Sequence, residues 1–86
     1  MISDLWCLNK GLRKAIQKDK VIIYNTLSGR CIKLDFKSHD IYKEFERLSS
    51  FNYEDVKGLE VCQDVPDEEL YAFIMFLKER GFINGD

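Results

Sequence analysis

Apolar and polar positions change their period once along the chain, near Asp35, and so separate a strand-forming half from a helical half. Leu12, Lys14 and Ile16 alternate with Arg13, Ala15 and Gln17, a period of two that predicts a first strand. Asp19-Lys20 supplies a polar turn. Val21-Ile22-Ile23-Tyr24 is apolar at both parities and rich in β-branched residues, which predicts a central strand covered on both faces. Asn25-Thr26-Leu27-Ser28-Gly29 is made of turn formers, and its glycine takes a positive φ without steric cost. Arg30-Cys31-Ile32-Lys33-Leu34 resumes the alternation with Ile32 and Leu34 on one face. The last two strands form a hairpin, the three together an antiparallel meander, and Arg30 to Leu34 is one of its edges.

Beyond Asp35, Ile41, Tyr42, Phe45 and Leu48 recur at helical spacing, with Ser38 as the expected cap and Ser49-Ser50 as the end. Asn52 and Asp55 have capping-box spacing for a short helix from Tyr53 to about Lys57, closed by Gly58. Asp64-Val65-Pro66-Asp67-Glu68-Glu69 is the clearest helix start. Proline suits the first helical position, and three carboxylates meet the positive end of the helix dipole. That helix runs to Arg80, Gly81 ends it, and Phe82-Ile83 is expected to fold back on the core. The order predicts an α+β fold, winged-helix-like, with a three-stranded antiparallel sheet followed by three helices.

With 86 residues there is room for a single domain, 1–86, whose core is thin. The longest apolar run, Leu70 to Leu77, falls far short of the roughly 20 residues of a membrane span. Met1-Ile2-Ser3-Asp4 lacks the basic-then-apolar order of a signal peptide, so a cytoplasmic location is expected. The net charge of −2 conceals an asymmetry. Met1 to Leu34 has seven basic and two acidic residues, whereas Asp35 to Asp86 has six basic and thirteen acidic ones. Such a division suits a partner that sees one face of the domain: a phosphate, an anionic membrane or an acidic peptide.

Nothing in the chain marks an enzyme. Cys7, Cys31 and Cys62 are odd in number and widely spaced, which argues against a disulfide framework or zinc site and for three reduced thiols, mostly buried. The single histidine, His39, sits between Ser38 and Asp40. Sequence neighbours do not converge as a triad, so the trio reads as the polar first turn of a helix. No catalytic residue, metal or cofactor is therefore expected.

The last helix is unusually apolar. Leu70, Phe73, Ile74 and Leu77 share one stripe, while Tyr71, Met75 and Phe76 fall outside it, on flanks that a surface helix gives to charge. A small core cannot wrap a helix all round, so an apolar groove beside the edge strand is expected. An extended peptide adding to that edge, with alternate side chains held against the helix, fits this arrangement. Lys33 and Lys78 would meet acidic residues on it.

The run Val21-Ile22-Ile23-Tyr24-Asn25, Thr26-Leu27-Ser28-Gly29-Arg30 and Ile32-Lys33-Leu34 resembles the strand–turn–strand of PqqD-like domains. Asp67-Glu68-Glu69-Leu70 through Phe76-Leu77 to Gly81-Phe82-Ile83 resembles their last helix. The likeness spans about residues 12–83 and leaves Leu5-Trp6-Cys7-Leu8 without a role. It implies a non-catalytic recognition element for ribosomally synthesised and post-translationally modified peptides. Such an element binds the leader region of a precursor peptide and presents it to a separate modifying enzyme, often a radical SAM enzyme. By position it implies a peptide-binding strand of Arg30, Cys31, Ile32, Lys33 and Leu34. The facing helix would contribute Leu70, Tyr71, Ile74, Met75 and Lys78. Two rivals stand beside this. A winged-helix nucleic-acid binder needs a basic recognition helix, and Asp67, Glu68 and Glu69 have the wrong sign for phosphates, so neither nucleic acid nor membrane is expected as a partner. A structural or dimerisation domain would use the apolar helix for self-association.

Overall fold

The computed structural model describes residues 5–85; the signal-peptide argument from residues 1–4 lies outside them. The protein is a small α+β domain with a three-stranded antiparallel sheet and three helices. Its elements are β1 (Trp6–Leu8), β2 (Leu12–Ile16), β3 (Val21–Asn25), β4 (Cys31–Leu34), α1 (Phe36–Arg47), α2 (Tyr53–Lys57), α3 (Asp67–Glu79) and β5 (Ile83–Gly85), with one 3-10 turn at Glu60–Cys62. The sheet order is β2-β3-β4, so β3 is central and β4 an edge.

Burial of β3 departs from expectation. Val21 and Ile23 are wholly buried, but Ile22 is half-buried and Tyr24 is 40% exposed, so one face of the sheet is covered rather than two. The helices follow β4 along a short chain and all pack on the same side, where Ile32 and Leu34 complete the inner face.

α1 begins one turn earlier than its serine suggests. Asp35 is the N-cap, its carboxylate accepting the backbone N–H of Ser38, and this bond holds the carboxyl below the usual range. Ser38 donates to the cap instead of forming it. His39 is not a solvated turn residue either: it is 8% exposed, and Lys14 on the inner face of β2 reaches its Nε2 at 3.1 Å and Glu46 at 3.0 Å. Through Lys14 the outer strand β2 is thus tied to α1, which packs directly on β4. α2 has the capping box expected of Asn52 and Asp55. At α3 the proline is the N-cap rather than the first helical residue.

The N-terminal segment finds its partner at the far end of the chain. β1 pairs antiparallel with β5, Trp6 opposite Gly85 and Leu8 opposite Ile83, and Trp6 also bridges Phe51. This second sheet was absent from the expected order of three strands and three helices. Phe82 and Ile83 do fold back into the core, as Gly81 at φ 83° turns the chain out of α3. Of the thiols only Cys62 is buried, which pushes its pKa up; Cys7 is half-buried and Cys31 exposed, against the expectation of mostly buried cysteines. Among the described residues no helix is long and apolar enough to cross a membrane.

Candidate functional site

The site is built around the outer edge of β4, and its backbone register decides what that edge offers. In an antiparallel pair, hydrogen-bonded and non-hydrogen-bonded residue pairs alternate. The Asn25 N–H donates to the Arg30 carbonyl, and the register continues as Ile23 with Ile32 and Val21 with Leu34. By alternation Cys31 and Lys33 lie in the non-bonded pairs, so their N–H and C=O groups point away from β3. Among the described residues no strand pairs with β4 on that side. Two donors and two acceptors are thus presented in a row, the arrangement an added strand requires.

α3 lies along this hairpin, held at both ends. At its C-terminal end the Gly81 carbonyl accepts from Asn25 Nδ2 at 3.1 Å and from Asn9. Asn25 itself is 6% exposed, and its Oδ1 takes the N–H groups of Leu27 and Ser28, so one side chain shapes the turn and tethers the helix. Before its N-terminal end, Asp64 meets Lys37 of α1 at 2.6 Å, which holds the carboxyl below its ordinary range. The C-terminal end of the helix is therefore tied to the β3–β4 turn, and the loop before its N-terminal end to α1 just past β4.

A depression of about 260 Å³ opens between the start of α1, the loop before α3 and α3 itself. Asp35, Lys37, Ser38 and Ile41 line it from the β4 exit and α1; Glu69, Leu70 and Phe73 line it from α3. Its floor is apolar and its mouth is charged, acidic except for Lys37. At 100° per residue, Phe76 and Arg80 continue the flank of Glu69 and Phe73. Phe73 and Phe76 are half-buried, and the Arg80 guanidinium covers the Phe76 ring at 5.0 Å from its centroid.

The ten residues singled out from sequence divide into three groups. Ile32, Leu34, Leu70 and Ile74 are sealed in the core, where they support the groove and leave no apolar surface for a ligand. Arg30, Cys31 and Lys33 are exposed along the edge strand, as expected. Tyr71, Met75 and Lys78 lie on the other flank of α3, roughly 160° round the helix from Phe73 in the case of Tyr71. Tyr71 is 51% exposed and rests edge-on against Tyr53 of α2, ring centroids 6.0 Å apart. That flank adjoins α2, whereas the α3 residues lining the depression are Glu69, Leu70 and Phe73. Sequence periodicity located the core stripe but not which of its two flanks meets the sheet. Asn25 was counted only as a turn former; its burial was the missing signal.

Among the described residues no three His, Cys, Asp or Glu side chains converge where a metal could be held. No protein-family model, curated protein or solved structure matches the chain.

Proposed function

We propose that the chain is a non-catalytic peptide-binding module, with a winged-helix-like fold, that takes up the leader region of a ribosomal precursor peptide by strand addition. It presents that precursor to a separate modifying enzyme, in keeping with the PqqD-like resemblance a radical SAM enzyme. The observation that carries this reading is the edge of β4, unpaired among the described residues, with the end of α3 tied to its hairpin through Asn25. An incoming strand pairs with Cys31 and Lys33. Its inward side chains then fall in line with Ile32 and Leu34 and reach the half-buried Phe73 and Phe76.

Four backbone hydrogen bonds at about 1 kcal/mol net each do not hold a peptide against an ordering cost of about 2–5 kcal/mol. Two apolar anchors at about 1.5–3 kcal/mol each raise the gross gain to about 7–10 kcal/mol, so the anchors rather than the backbone bonds decide whether binding is measurable. Lys33 projects from the outer side of the added strand, where a leader carboxylate can meet it.

Calorimetric titration with the leader of the precursor encoded beside this chain tests the proposal. Lys33→Pro removes an outward donor and leaves the β3–β4 ladder intact, whereas Ile32→Pro breaks the ladder. A folded Lys33→Pro protein that has lost binding is expected. Undiminished affinity in that variant, or no heat with the wild-type protein, overturns strand addition.

A further inference from the structure

The face of the sheet turned away from the helices carries a second surface. Two cross-strand rows lie on it, Arg13–Tyr24–Cys31 and Ala15–Ile22–Lys33. Five of these six residues are exposed and Ile22 is half-buried. A sheet solvated on one side normally turns polar residues outward. Here the central strand turns out Ile22 and Tyr24, an apolar centre with nothing polar between its two side chains.

Charge then selects among occupants. Arg13 and Lys33 stand at opposite corners of the face, and Lys20 and Arg30 flank it at the strand ends. The nearby carboxylates are Asp19, in the β2–β3 turn, and Asp35, which is engaged as the α1 cap. A second copy docking through the same face would bring arginine and lysine against their own kind, at a cost of several kcal/mol. A nucleic-acid strand needs successive aromatic platforms, and Tyr24 is alone.

We propose that this outer face docks an acidic polypeptide partner, which sets an apolar side chain on Ile22 and Tyr24 and pairs carboxylates with Arg13 and Lys33. Three strands about 4.8 Å apart and four or five residues long make a face of about 10 by 15 Å, room for a short peptide segment. The face meets the β4 edge at Cys31 and Lys33, but Arg13 and Tyr24 stand away from that edge, so a precursor held there leaves both free for a second protein.

The test is a titration of ¹⁵N-labelled protein with the acetylated peptide Glu-Glu-Leu-Phe-Glu-Glu. Amide shifts confined to the two rows are expected, together with slower alkylation of Cys31. Arg13→Glu should weaken binding by at least about tenfold through like-charge repulsion. Tyr24→Ser should weaken it as well, and both exposed positions tolerate change without loss of fold, as circular dichroism will register. Calorimetry with the leader peptide should give the same affinity in both variants, which separates this surface from the edge of β4. Shifts elsewhere, unchanged affinity in Arg13→Glu, equal binding of a Lys-for-Glu peptide, or tighter binding of oligothymidylate on the same rows would each overturn the proposal.

Discussion

Replacing Asn25 with alanine removes three hydrogen bonds at once: Nδ2 to the Gly81 carbonyl, and the Leu27 and Ser28 N–H groups to Oδ1. Each is worth about 1 kcal/mol net, but water replaces the two in the exposed turn at little loss. The Gly81 carbonyl retains Asn9, so no buried acceptor is orphaned. The expected destabilisation is therefore about 1 kcal/mol, or about 4–8 °C in Tm for a domain of this size. Asn25→Asp separates the two roles. Aspartate keeps the acceptors that shape the turn but loses the donor and sets a carboxylate against the Gly81 carbonyl. If the tether to α3 matters, Asn25→Asp is at least as unstable as the alanine variant in urea at neutral pH. An aspartate variant within about 0.5 kcal/mol of wild type would refute the tether, and an alanine variant equally close would refute both roles.

Burial and the Lys14 ammonium hold His39 below its usual pKa, so the unfolded chain binds more protons than the native one as pH falls below about 6.5. Stability is thus expected to be full above that pH and to decline beneath it; the urea midpoint at mildly acid pH reads this, and His39→Gln should flatten the slope. The carboxyls of Asp35 and Asp64 are depressed, so their contribution is present above the ordinary carboxylate range and lost only at much lower pH. Phe73→Glu should abolish leader binding while Met75→Glu leaves it within about threefold, since an unpaired charge harms only the flank that meets the strand; calorimetry on both variants decides which flank is used. A Cβ at Gly85 would stand 2.0 Å from Trp6 Cδ1, so Gly85→Ala should cost about 1–3 kcal/mol in thermal melts.

The meander, its hairpin turn and the three helices were legible because each is specified by a local signal: alternation in Arg30–Leu34, a capping box at Asn52, a breaker at Gly81. What sequence could not supply was tertiary. Asp35 outcompetes Ser38 as cap because Leu34 ends the strand right before it, a boundary that periodicity leaves uncertain by a turn. The β1–β5 pairing joins segments three residues long at opposite ends of the chain, too short to show a period and too distant to suggest a partner. Leu70, Ile74 and Leu77 defined the buried stripe of α3, yet a stripe has two sides. The stacking of Phe73 on Phe45 of α1 and the contact of Tyr71 with Tyr53 of α2 tell them apart.

Because Trp6 and Gly85 are register neighbours, the polypeptide enters and leaves the domain at one place. Splicing the unit into a surface loop of another protein would therefore demand no spacer, and joining its ends while cutting the Asp19 turn should yield a working permutant. Closure of the small ribbon must also wait for the last strand to be synthesised, so Trp6 stays unsheltered on the ribosome until the rest of the domain has emerged.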